Sequence, residues 1–311
     1  MLTPVLVAFL SLLVGTVRIL PLPLVARIGR AFGLLAWLLA RKHRRIALEN
    51  LAASFPDWTR DQVLRTGREN LARIGEAYAC AVRIPGMTLT DLGDRLTITG
   101  YREVLPEPGG NLVVATGHFG NFDLLTQCAQ VDPSRHLATT YRAQKVQALE
   151  VVFQRLRAKT GVDFLERRAG VAPIRRHFER GNGVVALFTD QHGGGHGLWM
   201  PFLGRPCSCS PSAAVLALRQ RARLAVVVCH RVGLARWEIR GGPVIPTHHA
   251  DGSERSVEDI TRDVVLEYER AVLRDPANWF WVHRRWKPPS PMQRDGTAAA
   301  RVRDGGEEVL P

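Results

Sequence analysis

The stretch Asn111-Leu112-Val113-Val114-Ala115-Thr116-Gly117-His118-Phe119-Gly120-Asn121-Phe122-Asp123 decides the reading of this chain. From Asn111 to Thr116 it is short, branched and apolar on both faces, the pattern of a strand buried in a parallel sheet rather than one half open to water. Gly117 breaks the strand. Asn121 then has the chemistry to cap a helix carrying Asp123, Leu124, Leu125 and Cys128. The histidine thus falls in a strand-to-helix loop and the aspartate in the first helical turn, where open α/β sheets bind ligands.

A histidine so placed is the usual general base for a hydroxyl. A carboxylate on its other ring nitrogen would fix the tautomer and stabilise the imidazolium that forms. His118 and Asp123 are the candidates for these roles. Neither Ser nor Cys lies inside the motif, so the nucleophile of such a dyad is a substrate hydroxyl and the chemistry a direct transfer. Spacing alone is equally compatible with a loop histidine followed by a helix-capping aspartate.

Working outward, strand patterns recur at 96–99, 137–141, 162–165, 184–188, 224–229 and 236–240. Helical patterns fill 121–130, 144–160, 170–180, 210–221 and about 255–274. Thr59-Arg60-Asp61-Gln62 opens a further helix as a capping box. Strands alternating with helices of this length predict an α/β layered fold. Upstream, Val5 to Ile19 is almost continuously apolar, Pro21 and Pro23 interrupt, and Phe32 to Ala40 is apolar again. Neither stretch reaches the roughly 20 residues of a spanning helix. The cluster Arg41-Lys42-His43-Arg44-Arg45 follows, suited to anionic headgroups. Residues 1–45 therefore read as a membrane anchor on the inner leaflet, or else as a helical hairpin covering the core. Residues 46–288 read as the catalytic domain and 289–311 as a disordered tail.

Composition sets the partners. With 42 Lys and Arg against 29 Asp and Glu, a net charge of +13 favours nucleic acid, an acidic membrane surface or an acidic carrier protein. Five scattered cysteines read as reduced thiols. His192-Gly193-Gly194-Gly195 is similar to an esterase oxyanion loop, but no serine has a glycine two residues before it, which argues against a serine hydrolase. Asp190, His192 and His196, or Cys207 and Cys209 with His230, are weak metal candidates because their spacing makes a poor cage. P-loop and dinucleotide-binding glycine patterns do not occur. The run Trp279-Phe280-Trp281-Val282-His283-Arg284-Arg285-Trp286-Lys287 suits nucleic-acid stacking, a membrane interface, or simply the core with arginines facing water.

Taken together, several motifs carry a resemblance. These are Arg45-Ile46-Ala47-Leu48-Glu49-Asn50-Leu51 with Ser54-Phe55-Pro56, Gly117 to Asp123, Thr140-Tyr141-Arg142, Thr189-Asp190-Gln191, Pro201-Phe202-Leu203-Gly204 and Trp281 to Lys287. In this order, over roughly residues 1–288, the chain resembles the bacterial lipid A biosynthesis late acyltransferases, and more distantly the phosphatidylinositol mannoside acyltransferases. The resemblance implies an αβα glycerolipid-acyltransferase-like fold anchored at the cytoplasmic face of the inner membrane. It implies transfer of an acyl chain from an acyl carrier protein or coenzyme A thioester to a hydroxyl of a glycolipid, either a lipid A precursor or another such as a phosphatidylinositol mannoside. His118 would be the base and Asp123 its orienting partner. Gly120, Asn121, Arg142, Asp190 and Gln191 would contact substrate, with no metal or other cofactor and no nucleic acid. Departures from the family pattern, Phe122 for a common tryptophan and Asp123 for a frequent glutamate, leave the acceptor open. Outside that class stand a basic nucleic-acid-binding protein and a non-catalytic membrane scaffold.

Overall fold

The structure is a computed structural model and describes residues 2–288; the tail expected to be disordered lies outside them. Four helices lead: α1 Leu2–Ile19, α2 Leu22–Leu39, α3 Arg41–Ser54 and α4 Arg60–Arg83. There follow α5 Leu89–Leu92, β1 Leu96–Thr99, α6 Tyr101–Val104, β2 Leu112–Thr116, a 3-10 helix Phe122–Gln130 and β3 His136–Tyr141. Next come α7 Gln147–Arg157, β4 Asp163–Glu166, α8 Ala172–Glu179, β5 Gly183–Phe188, and the pair β6 Leu198–Phe202 and β7 Arg205–Cys209. Last are α9 Ser212–Arg219, β8 Arg223–Gly233, β9 Arg236–Ile245 and α10 Val257–Arg274.

One sheet of seven strands, ordered β1-β9-β8-β2-β5-β3-β4, forms the middle layer. From β8 to β4 all neighbours are parallel, whereas β9 runs antiparallel to β8. Every residue of β2 is buried, as its two-sided apolar pattern requires. Val113 and Ala115 face a core shared with Phe178, Leu216 and Val264 of α8, α9 and α10. Leu112 and Val114 face a second core shared with Leu124, Ile84 and Val25. Helices thus cover both faces of the sheet, and the molecule is an αβα sandwich.

All seven expected strands form within a residue or a few of their sequence bounds. The β6–β7 hairpin was not anticipated, because Pro201 and Pro206 interrupt the alternation that marks a strand. Its turn is Leu203-Gly204, with φ of 50° and 70°, the mirror-image turn that matches strand twist. Of the two prolines expected to interrupt the N-terminal apolar stretch, Pro21 does lie in the break between α1 and α2, whereas Pro23 does not. Pro23 sits in the first turn of α2, where a missing N–H costs nothing, so the helix runs unbroken for 18 residues. At a mean hydropathy of 1.5 it is long and apolar enough to cross a membrane.

This helix does not stand apart from the domain. A Cβ on Gly33 would lie 2.2 Å from the Leu71 carbonyl oxygen, and one on Gly75 2.2 Å from that of Gly29. Glycine at these positions lets α2 and α4 meet backbone to backbone. Arg30 of α2 reaches Glu69 at 2.7 Å and the buried Glu76 at 3.4 Å. The outward faces of α1 and α2 remain open, with Phe9, Leu12, Phe32 and Leu39 exposed.

Candidate active site

β2 and β5 are adjacent and parallel, paired up to Thr116 opposite Phe188, and the ladder is extended by the Thr189 N–H donating to the Thr116 carbonyl at 3.0 Å. Two loops therefore leave neighbouring strands at the same sheet edge. One carries His118 and the other Asp190. Sheet register thus joins residues far apart in sequence.

Asp190 is fully buried and holds His118 at two points. Its Oδ1 lies 2.9 Å from the ring Nδ1 and its Oδ2 accepts the His118 backbone N–H at 2.9 Å. Oδ2 also accepts the indole N–H of Trp279 at 2.9 Å. Burial would raise this carboxyl, but the His118 charge and these donors outweigh it and hold Asp190 below the ordinary carboxylate range. Burial likewise opposes charge on His118, yet the Asp190 carboxylate prevails and the imidazole sits above its ordinary value of 6.5. The charge of Asp123 adds to this in a smaller way. Phe188, Phe122 and Phe280 surround the ring at centroid separations of 4.9, 5.0 and 5.7 Å. Among the described residues Nε2 has no hydrogen-bond partner.

The carboxylate on Nδ1 is thus that of Asp190, not that of Asp123 as the five-residue spacing led us to expect. Asp123 makes no hydrogen bond to the ring among the described residues. It lines, together with His118, an apolar cavity of about 650 Å³ between α4, the 3-10 helix, β3 and α7. Facing this cavity yet ringed by protein, its carboxyl is pushed up to about 6 by burial, which outweighs the opposing charges of Arg157 and His118. Leu125, Phe153, Leu156 and Phe164 line the same space. Arg157 stacks on Tyr141 at its wall, 4.1 Å from the ring centroid.

A second cavity, of about 430 Å³, meets the first at His118, Tyr141, Arg142 and Phe188. Its lining is polar: Arg142 and Gln191 are here, with Gln191 Nε2 3.3 Å from His118 Nδ1. His192, Gly193 and Gly194 form part of its wall, so the glycine run does border the site.

Two expected contact residues turn out to be structural. The Gly120 amide already donates to the Asn278 carbonyl at 2.9 Å, so it is not available as an oxyanion donor. With φ of 51° and room for no Cβ beside the Cys229 carbonyl, 2.8 Å away, Gly120 lets the loop press against β8. Asn121 is buried at 1% exposure, its side chain makes no capping bond, and it lines neither cavity. The segment it begins is a 3-10 helix rather than the α-helix expected, and its start lacks the side-chain cap that the asparagine was expected to supply.

The aromatic–basic run also resolves. Trp279 and Trp281 are fully buried, and Arg285, 1% exposed, lies over Phe202 with its guanidinium donating to the Ser208 carbonyl and contacting the Cys209 sulfur at 2.9 Å. Trp279, Trp281 and Arg285 thus belong to the core, while Arg284 and Lys287 face outward. The run is also a brace, since Asn70 of α4 donates to the Ala277 and Trp279 carbonyls at 2.9 and 2.5 Å, and Asn278 to that of Cys229 at 2.9 Å. Trp279 was missed as a site residue because aromatic clustering does not reveal which ring N–H points at a carboxylate. The five cysteines are free and buried; Cys207 and Cys209 share a sulfur hydrogen bond at 3.8 Å rather than a disulfide.

Residues 2–288 match the profile of the family described as bacterial lipid A biosynthesis acyltransferase. Among solved structures, the chain is similar to the 1-acyl-sn-glycerophosphate acyltransferase PlsC from Thermotoga maritima, at 13% identity and a TM-score of 0.40, over 82% of this chain and 98% of that one. Curated proteins yield no match.

Proposed function

The chain belongs to the bacterial lipid A biosynthesis acyltransferase family, and from that premise we propose that His118 is the general base of an acyl transfer onto a glycolipid hydroxyl. The family makes the protein an acyltransferase acting on lipids; donor, acceptor and residue roles are our reading. One observation carries it. His118, its Nδ1 engaged by Asp190, stands with Nε2 unpartnered among the described residues where an apolar cavity meets a polar one.

In this reading the apolar cavity, within the roughly 300–1,000 Å³ range of ligand pockets, takes the acyl chain. The acceptor hydroxyl approaches from the polar side. Nε2 removes its proton as the oxygen attacks the thioester carbonyl, and the resulting oxyanion is stabilised by the cationic side chain of Arg142 at the junction. Collapse breaks the carbon–sulfur bond, and the imidazolium returns its proton to the departing thiolate. Asp190 stabilises the imidazolium meanwhile and holds the tautomer with Nε2 free. Asp123, beside the base in the apolar cavity, adds negative charge near the imidazolium.

The donor is a thioester of acyl carrier protein or coenzyme A. The acceptor is a lipid A precursor, with a phosphatidylinositol mannoside type glycolipid the alternative. The apolar outward faces of α1 and α2, followed by the basic cluster from Arg41 to Arg45, favour a protein held at the inner membrane with the site on the cytoplasmic side. Incubating purified protein with labelled acyl carrier protein or acyl coenzyme A and a glycolipid extract should label a lipid. His118→Ala should abolish the label, and full activity in that variant would sink the assignment.

A further inference from the structure

Behind the His118–Asp190 pair lies a second polar cluster, every member of it buried. Thr116 ends β2 two residues before His118, and Thr189 immediately precedes Asp190. Tyr268 of α10 reaches both. Its hydroxyl donates to the Thr116 carbonyl at 2.8 Å and lies 2.6 Å from Thr189 Oγ1. Because the phenol spends its one proton on Thr116, Thr189 is the donor in the second bond. The Thr189 N–H donates to the same Thr116 carbonyl at 3.0 Å, so three hydrogen bonds close a ring across two strand ends. The Tyr268 ring also lies 6.2 Å from that of Phe119, the neighbour of His118. β2 and β5 pair only as far as Thr116 and Phe188, and past that rung the ladder supplies a single further bond. Phenylalanine and valine would fill the same space as Tyr268 and Thr189. Such a paired exchange is nearly neutral for stability, so the contribution of the hydroxyls lies in geometry.

We propose that Tyr268 is a positioning residue for the transfer: its hydroxyl fixes the spacing of the two strand ends, and through them the 2.9 Å contact between Asp190 and His118. It lines neither cavity and acts only through the residues it holds. α10 is a firm support for this, since Ile260, Val264, Val265 and Val272 bury the helix in the core on that face of the sheet. Thr116 is tied on its other side as well, its own hydroxyl donating to the Val227 carbonyl of β8 at 2.7 Å. The bearing of Tyr268 on rate rests on the acyl-transfer reading; its bearing on the His118–Asp190 contact does not.

Full-length wild type, Tyr268→Phe, Thr189→Val and the double variant are compared in detergent micelles with Val272→Ala, which hollows the same helix without touching a hydroxyl. Three quantities are read: acyl-transfer rates from pH 5 to 9, the titration of His118 by NMR of histidine-labelled protein assigned through His118→Ala, and Tm. Burial holds the Tyr268 phenol well above its ordinary value and hence neutral. The titratable groups that act on His118, namely Asp190, Asp123 and His283, stay in place, so a displaced titration reads position rather than lost charge. Tyr268→Phe should lower kcat about tenfold with KM within about twofold, short of the roughly 10²-fold that a 1 Å displacement can cost. The His118 titration and the acidic limb should move together to lower pH by about half a unit or more, a fraction of what a close opposite charge confers. In the double variant Tm should return toward wild type while the limb stays displaced, which separates position from stability. The proposal is overturned if His118 titrates unchanged in Tyr268→Phe, or if Val272→Ala moves it as far. Should the titration move as expected while wild type transfers no acyl group, the acyl-transfer reading fails and the clamp stands.

Discussion

Replacing Asp190 with asparagine separates the two carboxylates near His118. Asp190 Oδ2 accepts two N–H groups, from the His118 backbone and the Trp279 indole, and Oδ1 faces the ring Nδ1. An asparagine must leave its oxygen on the two donors, which turns its NH2 toward Nδ1. A donor there forces the proton onto Nε2, the nitrogen that has to accept one. On the measure of such tautomer errors in other His–Asp pairs, the rate should fall about 10³- to 10⁴-fold. The pH dependence gives an independent sign. The working form is neutral imidazole, so kcat/KM of the wild type should rise with pH through a limb above 6.5. Without Asp190 the causes that raise His118 are reduced to the charge of Asp123, burial dominates, and the limb should move to lower pH while the plateau stays depressed. Initial rates of labelled acyl transfer from pH 5 to 9 would read both, with the far-ultraviolet spectrum and Tm as controls for folding. The reasoning is refuted if Asp190→Asn keeps a rate within about tenfold of wild type and an unmoved limb while Asp123→Asn matches His118→Ala.

The same pair makes a stability prediction by linkage. The raised His118 contributes fully below 6.5 and less as pH climbs through its folded value, whereas the lowered Asp190 contributes above 3.8 and less as pH falls, so the Tm gap between wild type and Asp190→Asn should be widest between these limits. Trp279→Phe removes one donor to a buried carboxylate, and kcat should drop about tenfold or more with the acidic limb displaced; a variant that lowers only Tm would show the indole to be packing alone. Ala81→Phe, on the wall of the apolar cavity, should shift preference toward shorter acyl donors in a kcat/KM series, and an unchanged profile would take the chain out of that cavity. Gly33→Val must push Leu71 backbone aside and should cost about 1–3 kcal/mol in thermal or denaturant unfolding, whereas Gly15→Val, with nothing within 4 Å, should cost far less.

What the sequence showed well was periodic. The two-sided apolar run of β2 specified a central buried strand, and the break at Gly117 placed His118 at its carboxyl end. Capping chemistry was legible at Thr59, whose side chain and that of Gln62 close the expected box at the start of α4. Where periodicity was disturbed the reading suffered. Pro201 and Pro206 hid a hairpin whose turn rests on a leucine at positive φ, and Pro23 gave the look of a break to what is a helix start. The close backbone packing of α2 on α4 was invisible for another reason. Gly29, Gly33 and Gly75 encode close approach only when α4 is known to lie opposite, a tertiary fact with no local signature.

The candidate site divides along the same line. His118 was found because a strand end and a loop are local features, and Asp123 was paired with it because five residues is a local distance. The partner of Nδ1 is instead set by strand order: β5 pairs with β2, and that adjacency brings Asp190 to a histidine 72 residues earlier. Asp190 did stand among the expected contact residues, through a motif resemblance rather than any geometry. Trp279 and Asn278 come from still farther along the chain, yet one completes the shell of Asp190 and the other fixes the Gly120 amide. The basicity of His118 therefore depends on three segments that meet at the sheet edge. A substitution confined to the short motif tests one of those segments; the acid limb of the pH profile tests all three, since each changes how firmly the carboxylate is held against the ring.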